Sequence, residues 1–308
     1  MKAMQVTPLN SELTLTAAEV PTPAPSGKEL LIRVHAAGVT PTELLWYPTT
    51  HTVDGKERKH AIPGHEFSGT VHAVGSEVTT FATGDEVFGM SDWFLDGATA
   101  EYCLATPQSV ARKPNNLTHE LAATVPIAAL TAWQGLIDRA KLRRGERVLI
   151  HGAAGSVGIF AVQLAHQHKA HVIATASAHN IGFVQQLGAD EVLDYKGVPF
   201  ESVVSNIDVV FDAVGGDTFE RSIQVLSPIG RITTIAADAE GNADPRIKDA
   251  FFIVEPNQKH LTDIAWQLQQ GILRTFVNAA VPLDQAPQAY ANQLPNKRGY
   301  GKVVISIA

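Results

Sequence analysis

One segment constrains the fold more than any other: Arg147-Val148-Leu149-Ile150-His151-Gly152-Ala153-Ala154-Gly155-Ser156-Val157-Gly158. A short apolar run enters a glycine-rich turn, and an apolar stretch of helical length, residues 157–165, follows. Gly155 lets the backbone close on a diphosphate, and Gly158 lets the helix pack tightly on the strand before it. The helix start then offers free amides and the positive end of its dipole to an anion. The pattern is Ala-x-Gly-x-x-Gly over 153–158, with Ala153 where the usual fingerprint has its first glycine. Alone it is weak, but a strand precedes it, a helix follows and a second strand comes about 20 residues on. Gly152, Ala153, Ala154, Gly155, Ser156, Val157 and Gly158 are therefore expected to hold a dinucleotide.

The second strand indicates which dinucleotide. NAD sites usually end it with Asp or Glu, which accepts hydrogen bonds from the ribose 2′-hydroxyl. Here it ends Ala174-Thr175-Ala176-Ser177-Ala178-His179-Asn180, and the next carboxylate is Asp190. A 2′-phosphate would be repelled by a carboxylate and received by the Ser177 hydroxyl and the His179 imidazole. NADPH is the expected cofactor, although this stretch contains no Arg or Lys.

Around this segment the texture of the chain changes. Up to about residue 120, apolar runs such as 30–34, 69–74 and 85–89 are broken by Pro, Gly and Thr, which reads as an antiparallel β-rich domain. From Arg147 strands alternate with helices: strands at 147–151, 171–175, 191–193, 207–211 and 231–235, helices at 157–165, 181–187 and 218–226. Strands joined by helices need crossovers, so the sheet is parallel and doubly wound, covered on both faces. Pro114, Asn115 and Asn116 break the chain at the joint, and Thr118 is placed to cap the next helix. The tail returns to strand-like runs at 275–281 and 302–307. The expected fold is α/β, with residues 1–122 and 273–308 as a catalytic domain and 123–272 as the dinucleotide-binding domain.

Ordered landmarks run along nearly the whole chain: Ala37-Gly38-Val39-Thr40-Pro41, Pro63-Gly64-His65-Glu66-Phe67-Ser68-Gly69, Gly84-Asp85-Glu86-Val87, Ala100-Glu101-Tyr102, Leu130-Thr131-Ala132-Trp133, Leu187-Gly188-Ala189-Asp190, Asp212-Ala213-Val214-Gly215-Gly216 and Gly301-Lys302-Val303-Val304. With these the sequence resembles the zinc-free quinone oxidoreductases of the medium-chain dehydrogenase/reductase superfamily. The resemblance implies a GroES-like β-rich catalytic domain, a Rossmann domain, a substrate cleft between them and a homodimer or homotetramer. It also implies that Thr131 and Val254 lie near the nicotinamide and that Tyr195 helps hold the 2′-phosphate. Ala213, Val214, Gly215 and the strand end at Ala236 should line the cofactor, and Phe252-Ile253-Val254-Glu255-Pro256 should be a cofactor-side strand.

Zinc relatives hold their catalytic metal through Cys, His and Cys. In this chain those positions carry Thr40, His65 and a residue near Ile127, a set that cannot close a tetrahedral site. Glu66 is the one substitute ligand at hand. His65 and Glu66 are either a proton relay or a vestige of a metal site. Without a Lewis acid, charge developing on a substrate oxygen needs hydroxyl, amide or water donors. Thr40 and Tyr47 are the candidate donors, with His65 a candidate proton source, and Trp46 and Trp93 are candidate walls for a flat substrate. The expected function is NADPH-dependent hydride transfer to a quinone or an α,β-unsaturated carbonyl. The alternatives are a zinc-type alcohol dehydrogenase with unusual ligands and a non-catalytic NADPH-binding sensor.

Composition closes other routes. The single cysteine, Cys103, excludes an internal disulfide and any multi-cysteine zinc site. A formal charge of −7 disfavours nucleic acid or an anionic membrane as partner. Residues 1–10 lack the apolar core of a signal peptide and no apolar run reaches membrane-spanning length, so a soluble, cytoplasmic chain is expected. No Gly-x-Ser-x-Gly elbow supports a hydrolase. His166, His168 and His171 read as surface histidines near a helix end.

Overall fold

Short apolar runs become seven strands in the first part of the chain: β1 (Lys2–Leu9), β2 (Glu12–Glu19), β3 (Leu30–Gly38), β4 (Glu66–Val74), β5 (Glu86–Met90), β6 (Tyr102–Ala105) and β7 (Val110–Arg112). The structure, a computed structural model, describes residues 1–9, 12–235, 247–295 and 297–307. β1 and β2 form an antiparallel ribbon of their own. β3 lies antiparallel to both β4 and β6. Its Leu30, Ile32, Ala36 and Ala37 are completely buried, and Phe67, Val71, Val87 and Val110 close around it. The end of β3 and the start of β4 thus lie in the buried core of this unit, next to Thr40, His65 and Glu66.

The second part supplies β8 (Arg147–His151), β9 (His171–Ala176), β10 (Glu191–Asp194), β11 (Ile207–Asp212) and β12 (Leu226–Thr234). All pair in parallel, in the order β10-β9-β8-β11-β12. Val148, Leu149 and Ile150 of β8 and Val209, Val210 and Phe211 of β11 have no exposed surface, which is why these strands read as unbroken apolar runs rather than alternating ones. Strand order reverses between β8 and β11, and in such sheets the crevice at the carboxyl ends of these two strands receives the ligand. The strand expected at 231–235 starts earlier, at Leu226, with an irregularity opposite residues 207–209.

One expected strand does not form. Residues 252–256 make no ladder, and the only pairing there is a single bridge between Thr234 and Phe251 among the described residues. Pro256 has no amide to donate, and the Glu255 amide donates instead to the Gln134 side chain at 3.0 Å.

The tail adds β13 (Val277–Pro282) and β14 (Lys302–Ser306). β14 pairs antiparallel with β3 and parallel with β13, so the chain's end rejoins the first sheet. Two compact units result, residues 1–127 with 256–308, and residues 128–255. Residues 256–272, expected in the dinucleotide-binding domain, group with the first unit. The helix Gln258–Gln269 buries Leu261, Ile264 and Leu268, and Asn116 donates to the carbonyl of Leu268 at 3.3 Å. The first unit also extends past 122, because the Ile127 amide donates to Glu66.

Candidate functional site

The turn after β8 folds as its glycines dictate. Gly152 has φ +72°, a conformation that costs other residues strain. The Ala153 amide donates to the Thr175 carbonyl at 3.2 Å and the Gly155 amide to the Gly152 carbonyl at 2.9 Å. A Cβ on Gly158 would stand 2.2 Å from the Gly152 oxygen, so helix and turn touch backbone to backbone. Gly155 caps the helix Ser156–Gln167 without a side-chain hydrogen bond. The amides of Ser156, Val157 and Gly158 therefore point out of the helix end, unused by the helix itself.

Across the crevice, the turn after β11 is fixed by Asp212. Its buried carboxylate accepts from the amides of Val214 at 2.9 Å and Gly215 at 3.1 Å, and from the Thr234 hydroxyl at 2.9 Å. Val214 and Ala213 approach within 3.3 and 3.6 Å of where a Gly152 Cβ would stand. The structure thus brings Gly152, Ala153, Ala154, Gly155, Ala213, Val214 and Gly215 together. This cradle fits a dinucleotide diphosphate: the amides of Ser156, Val157 and Gly158 beside it are unused by the helix, and its crowded positions are small residues.

Beneath the turn His151 is buried between two hydroxyls, Thr175 on Nδ1 and Ser222 on Nε2, each at 3.0 Å. Ser222 gives its own proton to the Thr218 carbonyl at 2.6 Å. Nε2 must therefore donate, and in the neutral ring Nδ1 accepts from the Thr175 hydroxyl. Burial pushes the His151 pKa down to about 4, against the opposing pull of Asp212. A folded pKa below the unfolded value of about 6.5 means that the unfolded chain takes up the proton first. Stability is then full above about pH 6.5 and falls toward pH 4, by about 1.4 kcal/mol per pH unit. Thermal melts from pH 7 to 4.5 should show this slope in the wild type and a flatter one in His151→Asn.

At the end of β9, Ser177 accepts from Asn180 at 3.2 Å and lies 3.3 Å from His179 Nε2. The Tyr195 amide donates to the Ala176 carbonyl at 3.2 Å, which puts Tyr195 beside this cluster. Lys196 follows, its ammonium 5.9 Å from the Tyr195 ring. The sequence reading missed this cation because it sits 20 residues beyond the end of β9, and only the β9–β10 pairing brings Tyr195, its neighbour, to that end. Thr131 is buried in the helix Pro126–Trp133 and Val254 is buried next to Glu255, whose carbonyl accepts from Gln134 at 2.7 Å. Ala236 lies outside the described residues.

The other candidates lie in the first unit. His65 is 1% exposed. Its Nδ1 bonds to the Glu43 carboxylate and its Nε2 faces the Leu95 carbonyl at 3.2 Å. Glu43 also accepts from the Gly64 amide at 2.8 Å. Glu66 bonds not to His65 but to Lys302, and its other oxygen accepts from the Ile127 amide at 3.0 Å. His65 and Glu66, adjacent in sequence, thus belong to two separate buried pairs. Lys302 also donates to the Thr40 hydroxyl at 3.4 Å. Burial pushes the Lys302 pKa down to about 7, with Glu43 acting in the opposite sense. Trp93 packs against both His65 and Trp46, ring centres 5.4 Å apart in each case. Tyr47 is 55% exposed and stacks on His51.

Two functional candidates, Glu43 and Lys302, escaped the sequence reading. Each is a charge at the start of an apolar run, Leu44-Leu45 after Glu43 and Val303-Val304 after Lys302, which was the available signal. A zinc ion does not fit this donor set. Both His65 nitrogens are engaged, an ammonium stands against Thr40 and Glu66, and among the described residues no three His, Cys, Asp or Glu side chains converge. No helix of the described residues is long and apolar enough to cross a membrane.

Comparison with known proteins agrees with this anatomy. Residues 26–115 match the model of the alcohol dehydrogenase GroES-like domain, and residues 187–305 that of the zinc-binding dehydrogenases. A probable zinc-binding oxidoreductase, mitochondrial, of Arthroderma benhamiae is 32% identical over 96% of this chain and 93% of that protein. A quinone oxidoreductase of Sus scrofa is 30% identical over 96% and 94%. The structure of the quinone oxidoreductase from Coxiella burnetii superposes with a TM-score of 0.85 at 29% identity, covering 100% of this chain and 99% of that one.

Proposed function

Because this chain belongs to the medium-chain dehydrogenase/reductase superfamily, we propose that it is an NADPH-dependent reductase of quinones or α,β-unsaturated carbonyls that works without zinc. One observation carries the substrate class: the positions that hold zinc in metal-dependent relatives carry a threonine, a histidine with both nitrogens engaged and a residue near Ile127. Such a site has no strong electrophile for a simple ketone, so it suits acceptors that are already electron-poor. Trp46 and Trp93 suit a flat ring system.

When bound, NADPH supplies the hydride. The amides at the start of the helix Ser156–Gln167 hold its diphosphate, and Ser177, His179, Tyr195 and Lys196 hold its 2′-phosphate. Thr131 and Val254 flank the nicotinamide, as in the family. On the substrate, the oxygen that gains charge needs a hydrogen-bond donor, for which Thr40 is the first candidate and the exposed Tyr47 the second. His65, sealed between Glu43 and Leu95, positions the loop rather than delivering a proton, which comes from solvent.

Steady-state NADPH consumption against quinones, enones, enals and simple ketones, repeated with NADH, tests the reading. Turnover of the conjugated acceptors alone is expected, with a chelator making no difference. A stoichiometric zinc required for activity, or tight NADPH binding without oxidation of any acceptor, would replace it with one of the two alternatives. Lys196→Ala should raise the KM for NADPH about tenfold, the value of one partly screened charged contact, and leave the KM for NADH unchanged.

A further inference from the structure

We infer that Lys302 is a positioning residue that turns the Thr40 hydroxyl into the hydrogen-bond donor for the substrate oxygen. The argument is one of proton inventory. The buried Glu66 carboxylate paired with Lys302 favours its ammonium form; an ammonium has only donors and a hydroxyl has one proton. When Lys302 Nζ approaches Thr40 Oγ1 at 3.4 Å, the threonine oxygen is the acceptor and its own proton must point elsewhere. Among the described residues no acceptor meets that proton, and Thr40 is partly exposed. The donor is thus held ready for an oxygen that arrives from outside the protein.

The geometry behind Thr40 is fixed. Glu66 holds the ammonium from one oxygen and is held by the Ile127 amide at the other, 3.0 Å away. Gly38 makes room for it, since a Cβ there would stand 2.6 Å from the Glu66 carboxyl. Glu66 is fully buried and Lys302 5% exposed, so neither swings freely. The chain of contacts runs Ile127 amide, Glu66, Lys302, Thr40, and links one zinc-ligand position of the metal-dependent relatives to the neighbourhood of another. His65 at the third is taken up by Glu43 and Leu95, and Glu43 is the other carboxylate facing this cluster.

The inference rests on the proposed reductase activity. As hydride adds to the β-carbon of an enone, the displaced π pair moves to the carbonyl oxygen. The resulting enolate oxygen takes the Thr40 hydrogen bond, and water later supplies the proton. Lys302 never touches the substrate; its positive charge lowers the cost of that negative oxygen through the hydroxyl between them.

The test is a double-mutant cycle on the full chain, with kcat, KM and NADPH affinity by fluorescence titration read for each variant. Thr40→Ala should lower kcat about 100-fold and Lys302→Met at least about tenfold, both with NADPH affinity unchanged. The double variant should be no slower than Thr40→Ala, because Lys302 acts only through that hydroxyl. Lys302→Arg should retain most of kcat. If Lys302→Met fails to fold, Lys302→Met with Glu66→Gln removes both charges together and should show the same loss. Multiplying losses in the double variant, or wild-type kcat in a folded Lys302→Met, overturns the inference while leaving the reductase reading intact. A wild type that consumes no NADPH with any acceptor overturns both.

Discussion

Gly158→Ala is expected to raise the dissociation constant for NADPH by at least about 100-fold, the loss that follows when a diphosphate cradle is displaced by about 1 Å. The added Cβ would stand 2.2 Å from the Gly152 oxygen, 2.6 Å from Ala153 Cα and 2.8 Å from the Gly152 carbonyl carbon. All three are backbone atoms, so no side chain can turn aside. Either the helix Ser156–Gln167 lifts from the turn, or the turn moves, and in both cases the amides miss the phosphates. Overpacking of this kind also costs about 1–3 kcal/mol of stability. Gly182→Ala is the control. It lies in the helix Ile181–Gln186 with no atom within 4 Å of its Cβ position, and should stabilise the protein by about 0.5–1 kcal/mol. Fluorescence titration and melting of the two variants decide the matter, and wild-type NADPH affinity in Gly158→Ala would remove the turn as the diphosphate site.

Glu43→Ala should destabilise the protein by about 2–6 kcal/mol, about 1–3 for each buried partner left unsatisfied. The carboxylate, 1% exposed, is the acceptor for both the Gly64 amide and His65 Nδ1. Removing it orphans two buried groups in the same turn. No rearrangement of Gly64 offers an escape, because its φ of +92° and its closeness to Thr99 hold it in place. Glu43→Gln keeps an acceptor of the same shape and should cost about 1 kcal/mol if the hydrogen bonds dominate. Equal losses in the two variants, measured by denaturant melts, would show instead that the charge is what His65 requires.

The central strands β8, β9 and β11 were legible because each is a buried apolar run, and β8 with its glycines pointed to a dinucleotide-binding fold. The strand expected around Val254 was misread for a local reason: apolar residues before a proline look extended whether or not a neighbour pairs with them. Residues 256–272 were misplaced because an amphipathic helix does not say which sheet it covers. Thr40 and His65 were found by position in a motif, but what they do depends on partners far away in sequence. Lys302 is 236 residues from Glu66, and that pairing is created by β14 joining β3. The same holds for Tyr195, whose amide reaches the end of β9 only through the pairing of β9 with β10.

One further consequence lies in β6. Cys103 is the chain's only sulfhydryl, paired opposite Ile32 in the sheet, 2% exposed, and burial pushes its thiol far above the ordinary range. Quinones and enones are alkylating agents whose preferred target in proteins is a thiolate. A fold that locks its only thiol into a sheet core, where burial disfavours the thiolate, shields it from electrophiles of that kind.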